Sequence, residues 1–338
     1  MATNDDWLTG TTEVTLDPEL PICDAHHHLW DFRVDSVEKT YLLDDFLRDT
    51  SSGHNVVSSV FIECGAMFKA DGPTSMRPIG ETEFANGMAA MSASGQYGKT
   101  RVAAAIVGTA DLTLGDSVPR VLEAQIAAGG GRFRGIRQGV TWHEDTRIPN
   151  HRTDPPAGLL MSEAFRSGFA HLAGFGLTFE AWCYHTQLHE VTKLARQFPE
   201  TLIVLDHLGC PLGVGPYSDQ ATAVFREWDR AMAEIAACDN VVTKLGGLAQ
   251  EVNGFKWHQL PTPPTSIDLL KGCAHYYERA IELFGVDRCL FESNFPVEKL
   301  SCSYNTLWNA FKILTKDYSA AEKAKLFHDN AQRIYRIT

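Results

Sequence analysis

Basic residues are few in this sequence. The chain has 338 residues, with 30 lysines and arginines against 42 aspartates and glutamates, and a formal net charge of −12. A nucleic-acid surface needs clustered positive charge, so this composition argues against nucleic acid as a partner. The few cations are therefore of interest wherever they occur within apolar runs.

Long hydrophobic runs are also missing. No stretch of 18 consecutive apolar residues occurs, which excludes an ordinary membrane-spanning helix. Residues 1–6 read M-A-T-N-D-D and provide no apolar core for a secretory signal. We expect a cytoplasmic protein that does not enter a membrane.

Paired cysteines are absent as well. The eight cysteines are scattered, and none forms a C-x-x-C pair. Several lie inside apolar runs, as buried thiols do. This pattern predicts reduced, buried cysteines in a cytoplasmic protein rather than a disulfide framework.

What the chain does contain is a regular alternation of strand-like and helix-like stretches, with 44% hydrophobic residues overall. Eight short apolar runs rich in β-branched residues are predicted strands: 22–28, 56–63, 102–107, 133–138, 177–182, 202–207, 241–245 and 289–293. The clearest predicted helices lie between them: 81–94, 117–128, 162–173, 187–197, 221–237 and 266–284, and residues 304–334 read as two closing helices.

Apolar strands that alternate with helices indicate a parallel sheet covered on its outside. Eight such units predict an α/β fold of the (β/α)8 TIM barrel class, with residues 1–20 as an N-terminal extension and 21–338 as a single barrel domain. An open doubly wound sheet is the alternative, but no glycine-rich phosphate motif follows the first strand. Segments 69–80, 143–158 and 250–265 are longer than connectors need to be and are predicted to form lid-like loops.

The segment after the first strand carries the strongest chemical signal. His26 and His28 are separated by one residue, so a regular strand would place them, and Asp24, on one face with His27 on the other. Two imidazoles in this arrangement are suitable ligands for a divalent metal ion.

Other polar groups occur at or near the predicted strand ends, where barrel enzymes have their active sites. These residues are Glu63, Arg134, Arg137, Glu180, His185, Asp206, His207, Lys244, Glu292 and Asn294. A charged group within an apolar run is costly unless it has a partner, so their convergence on one mouth indicates a site.

Four motifs together resemble a known family. They are D-x-H-x-H-L-W from Asp24, R-G-I-R from Arg134, D-H-L-G from Asp206 and S-N-F-P-V from Ser293. The chain, from about residue 21 to 335, is similar to the amidohydrolase superfamily, and more narrowly to its amidohydrolase-related (amidohydrolase-2) branch. That branch includes 2-pyrone-4,6-dicarboxylate lactonase, L-fuconolactonase and decarboxylases of aromatic or enol acids.

The resemblance implies a distorted barrel that hydrolyses esters or amides at its mouth, often with zinc. His26, His28 and His207 match histidine ligands of the family, and His185 is the only histidine near the family's strand-five position. Asn294 stands where the family has an aspartate that serves as metal ligand and base. An amide cannot accept the proton of the attacking water, so the resemblance implies a divalent metal, zinc first, at a site with an altered ligand set.

Glu292 offers a replacement for the missing carboxylate. It lies two residues before Asn294, and in a regular strand both side chains would face the same way. We hypothesise that Glu292 acts as base or metal ligand. The alternative is a structural ion pair between Glu292 and either Lys244 or Arg137.

These residues predict a hydrolase that opens a small lactone bearing a carboxylate. The predicted catalytic residues are His28, His207, Glu292 and Asn294. Arg134, Arg137 and Lys244 are predicted to bind the substrate carboxylate, because cations, guanidinium groups above all, recognise carboxylates. Trp30, His185 and His258 are predicted to complete the substrate pocket.

Two other functions remain open at this point. A metal-dependent decarboxylase could use the same scaffold, although decarboxylases of the family tend to keep the strand-eight aspartate. A barrel that binds a ligand without catalysis is the third possibility, and only Asn294 favours it. A homodimer is expected from the general frequency of dimers.

Overall fold

The computed structural model describes residues 4–337, and its centre is one sheet of eight parallel strands that pair in chain order. The strands are β1 (Pro21–His27), β2 (Asn55–Ile62), β3 (Arg101–Gly108), β4 (Phe133–Arg137), β5 (Thr178–Ala181), β6 (Ile203–Leu205), β7 (Val241–Leu245) and β8 (Cys289–Phe291). The two edge strands of the sheet, β1 and β8, also meet. The backbone N–H of His28, just after β1, donates to the carbonyl of Phe295, just after β8, at 2.8 Å. The predicted (β/α)8 TIM barrel is confirmed.

Helices cover the outside of the sheet. They are α1 (Asn4–Leu8), α2 (Leu43–Thr50), α3 (Ile79–Ala93), α4 (Pro119–Ala128), α5 (Glu163–Phe169), α6 (Leu188–Gln197), α7 (Ala221–Ala236), α8 (Ser266–Phe284), α9 (Tyr304–Leu314), α10 (Ala320–Ala324) and α11 (Asn330–Ile334). A π-helical turn, Lys325–Asp329, joins the last two helices. Between residues 4 and 337, no helix is long and apolar enough to cross a membrane.

The N-terminal extension packs along the barrel. The hydroxyl of Thr11 donates to the carbonyl of Pro263 at 2.6 Å, and the N–H of Leu16 donates to Asn309 Oδ1 at 2.9 Å. The parts of the predicted extension and barrel at residues 1–3 and 338 lie outside the described residues. All eight cysteines are buried and unpaired, as predicted.

The barrel interior is closed at its lower, N-terminal end by the end of the chain. Ile334 and Tyr335 pack among small and β-branched side chains that point inward from the strands. The inward-pointing strand residues of this cluster are Cys23, Ala25, Val60, Ile62, Ala105, Val107, Val204, Val242 and Leu290. Apolar side chains therefore fill much of the lower half of the interior.

β1 departs from regular alternation, which corrects one expectation. Its pairing with β2 shifts between Asp24 and His27, so the strand contains a bulge. Asp24 accepts a hydrogen bond from the hydroxyl of Tyr304 on the outer helix α9 at 3.0 Å, while His27 stacks on Phe46 of α2. Asp24 therefore shares the outer face with His27, not the inner face with His26.

Candidate active site

A cavity of about 360 Å³ opens at the C-terminal ends of the strands. Its lining includes the predicted residues His28, Trp30, Arg137, His207 and Asn294. Loop residues complete the wall, among them Arg33, Asp35, Cys64, Arg152, Trp182, Gln250 and Glu251. The cavity thus combines imidazoles, two carboxamides and three guanidinium groups.

His26 of β1 and His28, just after that strand, face each other through their Nε2 atoms, which are 3.2 Å apart. His28 Nδ1 lies 2.8 Å from the carbonyl oxygen of Ile62, so Nδ1 donates and Nε2 carries a lone pair. Burial holds the pKa of His28 well below its usual range, and the adjacent His26 lowers it further. His28 is therefore a neutral imidazole whose free nitrogen is directed into the site.

His26 is held by carboxylates on its other nitrogen. Its Nδ1 lies 2.9 Å from Glu292 Oε2 and 3.5 Å from Asp206 Oδ1, which assigns the ring proton to Nδ1. The lone pair of Nε2 accepts a hydrogen bond from Arg137 Nη1 at 3.3 Å. Burial and the neighbouring ammonium of Lys244 lower the pKa of His26 to about 4.

Glu292 lies beneath the cavity and bridges two imidazoles. Its Oε1 accepts from His207 Nδ1 at 2.6 Å, and its Oε2 accepts from His26 Nδ1. Burial alone would raise the pKa of Glu292, but His207 and His26 outweigh it and keep the pKa below its usual range. Glu292 therefore fixes the tautomer and orientation of both rings, which turn their Nε2 atoms toward the cavity.

The backbone carries His207 and Asn294 out of the strands. β6 ends at Leu205, and His207 and Leu208 adopt left-handed conformations with φ of 53° and 57°. β8 ends at Phe291, and Asn294 has φ of 54°. Glu292 and Asn294 thus lie beyond the regular strand, where side chains two residues apart need not face the same way. Glu292 lies below the cavity, whereas Asn294 lines it.

A second charged layer lies deeper in the barrel. Lys244 Nζ is 2.7 Å from Glu180 Oε2 and 3.0 Å from Asp206 Oδ1, and all three side chains are fully buried. Lys244 keeps a raised pKa because Asp206 and Glu180 outweigh its burial. The predicted role of Lys244 in carboxylate binding is not reflected in its position, since it does not line the cavity.

Arg137 and Arg152 share one buried carboxylate. Arg137 Nε donates to Glu63 Oε1 at 2.9 Å, while Arg152 Nη2 contacts Glu63 Oε2. Arg137 also donates to Asp206 Oδ2 at 3.3 Å and to the backbone carbonyl of Glu63, so most of its N–H groups are committed to the protein. Arg152 is partly exposed and uses one nitrogen in this pair, which leaves it free to bind a ligand.

Three predicted substrate-binding residues lie elsewhere. Arg134 points to the lower end of the barrel, where its Nε donates to the carbonyl of Tyr335 at 2.6 Å. His185 accepts from the N–H of Leu212 at 3.3 Å and packs against Tyr217. His258 pairs with Glu251 at 3.4 Å, but His258 itself does not line the cavity. The structure does not bring these three residues to the cavity, because their strand or loop directs them away from it.

Two arginines of the cavity were not among the predicted site residues. Arg33 follows β1, stacks on Trp30 at 4.6 Å and donates to the carbonyl of Cys64 at 2.8 Å. Arg152 lies in the segment 143–158, whose length predicted a lid-like loop. In the sequence, only the length of its loop could have pointed to Arg152 as a site residue. For Arg33, only its position seven residues after His26 could have done so.

The imidazoles fit a divalent metal ion. Zinc bonds of 2.0–2.1 Å in tetrahedral geometry put two nitrogens about 3.3 Å apart, close to the separation of His26 and His28 Nε2. His207 and Asp206 lie near enough to His26 to serve as further ligands. A bound cation would replace the hydrogen bond that Arg137 now makes to His26 Nε2.

Comparison with known proteins agrees with the fold. The Amidohydrolase family (Amidohydro_2) matches residues 23–337. "Uncharacterized protein y4mH" of Sinorhizobium fredii is 34% identical over 337 residues, which cover 94% of this chain and 99% of that protein. "L-fucono-1,5-lactonase" of Burkholderia multivorans is 28% identical over 235 residues, which cover 69% and 72% of the two chains.

One of the similar solved structures contains a metal ion. The crystal structure of an amidohydrolase from Burkholderia multivorans with bound zinc has a TM-score of 0.71 and 25% identity, covering 94% of this chain and 99% of that chain. A buried group of His26, Asp206 and His207 in the present chain could hold such an ion. The family match spans nearly the whole chain, and this protein therefore belongs to the Amidohydrolase family.

Proposed function

We propose that this protein is a hydrolase that opens a small lactone, or a related cyclic ester, bearing a carboxylate. The observation that carries the proposal is the cavity itself, which is lined by His28 and His207 together with the partly uncommitted guanidinium of Arg152. The distant relative named L-fucono-1,5-lactonase supports the choice of a lactone.

Hydrolysis needs an activated water, stabilisation of the oxyanion and a proton for the leaving alkoxide. His207 is the candidate base, because its Nδ1 donates to Glu292 and its Nε2 is left to accept a proton from water. His28 presents the second unprotonated nitrogen. The cycle closes when the protonated base returns its proton to the alkoxide oxygen of the opened ring.

Asn294 is the candidate oxyanion donor. Its Nδ2 is buried, lies beside the carboxyl group of Glu298 without a hydrogen bond of standard geometry in the described residues, and belongs to a side chain that lines the cavity. An amide N–H directed at a developing negative charge lowers the barrier without changing protonation state. This gives Asn294 a purpose that an aspartate could not serve while ionised.

A metal ion, when bound by His26 and His28 with His207 or Asp206, would polarise the ester carbonyl and lower the pKa of a bound water. We expect wild-type protein loaded with zinc and desalted to retain about one ion per chain, as four-coordinate zinc sites do. His28→Ala should retain far less in elemental mass spectrometry. His258→Ala, outside the cavity, is the control, and equal zinc in all three proteins would contradict the assignment.

We assign the binding of the substrate carboxylate to Arg152. Arg152→Ala should raise KM for a carboxylated lactone by about 10- to 100-fold, the loss of one charge-assisted pair, with a smaller change in kcat. The uncharged analogue of the same lactone should be hydrolysed equally by both proteins. Product hydroxy acid is followed by chromatography.

Arg147→Ala is the matched control for this measurement. Arg147 is in the same loop, pairs with Asp145 and lies outside the cavity wall. Its KM should match the wild type for both lactones. An Arg152→Ala variant that loses the two lactones equally would contradict carboxylate binding, and release of carbon dioxide instead of hydroxy acid would contradict hydrolysis.

A further inference from the structure

We infer that Tyr335, near the C-terminus, is a positioning residue for the active site at the opposite end of the barrel, acting through Glu180 and Lys244. This inference rests on the proposed function for its kinetic test, because the reaction reports on the site. A spectroscopic test described below does not need the reaction.

The connection is a continuous chain of short contacts. The hydroxyl of Tyr335 donates to Glu180 Oε1 at 2.7 Å, and Glu180 Oε2 is 2.7 Å from Lys244 Nζ. The same ammonium is 3.0 Å from Asp206 Oδ1, which in turn lies 3.5 Å from His26 Nδ1. All five side chains are fully buried. Water therefore cannot screen or replace these contacts.

Each oxygen of Glu180 has one polar neighbour in this arrangement, the Tyr335 hydroxyl at Oε1 and the Lys244 ammonium at Oε2. Without the hydroxyl, Oε1 would be left unpaired in the barrel interior, which is costly for a buried carboxyl group. The carboxyl group would then turn toward Lys244. This changes how Lys244 divides its contacts between Glu180 and Asp206, and so changes the field at His26.

The position of Tyr335 is set by the base of the barrel and not by the active site. Its ring packs with Ile334 and the inward-pointing residues of the lower interior. Arg134 Nε holds the carbonyl of Tyr335 at 2.6 Å, and Arg336 Nη2 donates to the carbonyl of Gly176 at 3.0 Å. Arg134, predicted from the sequence to bind substrate, thus anchors the segment that delivers the hydroxyl.

The test is Tyr335→Phe, which keeps the ring and removes only the hydroxyl. We expect kcat to fall about tenfold, as for the loss of one buried hydrogen bond, with KM unchanged. The downfield imidazole N–H proton resonance of His26 in the metal-free protein should shift, while that of the outer His27 stays in place. Ile334→Val, in the same segment but without contact to Glu180, should leave kcat and these resonances as in the wild type.

A double-mutant cycle with Glu180→Gln separates positioning from packing. If Tyr335 acts through Glu180, removing the hydroxyl in the Glu180→Gln background should change kcat much less than in the wild type. Equal effects in both backgrounds, or an unshifted His26 resonance in Tyr335→Phe, would overturn the inference. If no lactone is hydrolysed by any variant, the proposed function fails, and the resonance shift still decides the role of Tyr335.

Discussion

Glu292→Gln is expected to lower kcat for lactone opening by about 10⁴-fold, the scale seen when a buried carboxylate that orients a catalytic histidine becomes an amide. The amide has one oxygen, so it can accept from only one of His26 and His207. Its NH2 group would face the other Nδ1 and favour the tautomer protonated at Nε2. That ring would lose the lone pair that the site requires. Steady-state kinetics on a carboxylated lactone measure the effect.

Glu190→Gln is the control. Glu190 of α6 is also a buried glutamate, burial raises its pKa above the usual range, and it does not line the cavity. Replacing it by an uncharged amide of the same shape should change kcat little. If the Glu292→Gln enzyme were as active as this control, Glu292 would be only a partner in a structural ion pair.

The sequence predicted the strands well because each is a short apolar run that a parallel barrel buries on both sides. It also predicted that the strand ends would meet. The fold could therefore be predicted from the apolar composition of the strands and their alternation with helices, both of which can be read from a single sequence. The helix α2 (Leu43–Thr50) was missed, and α5 (Glu163–Phe169) is shorter than its predicted range 162–173.

The positions of individual side chains were less predictable. Arg134 and Arg137 are three residues apart, so one strand sends them in different directions, and only Arg137 reaches the upper interior. The bulge in β1 and the left-handed residues His207 and Asn294 break the two-residue alternation where the site begins. Arg33 and Arg152 reach the cavity from loops, for which no periodic rule exists.

The left-handed turn at His207 depends on two glycines that follow β7. A Cβ atom on Gly247 would lie 2.1 Å from His207 Nδ1, and one on Gly246 would lie 2.4 Å from Glu292 Cγ. Real atoms do not approach this closely, so any side chain at either position must displace the imidazole or the carboxylate. The glycines are thus part of what holds the His207–Glu292 pair together.

Gly247→Ala is therefore expected to lower the free energy of unfolding by about 2–4 kcal/mol, since it combines a steric overlap in a buried site with a strained φ of 70°. Lactone hydrolysis should be lost with it, because His207 cannot keep its bond to Glu292. Denaturant titration and kinetics on the same sample measure both. Gly87→Ala, in the exposed middle of α3 with no atom within 4 Å of the new methyl, should instead stabilise the protein by about 0.5–1 kcal/mol. A Gly247→Ala protein as stable and active as Gly87→Ala would mean that His207 does not need the position in which it is found.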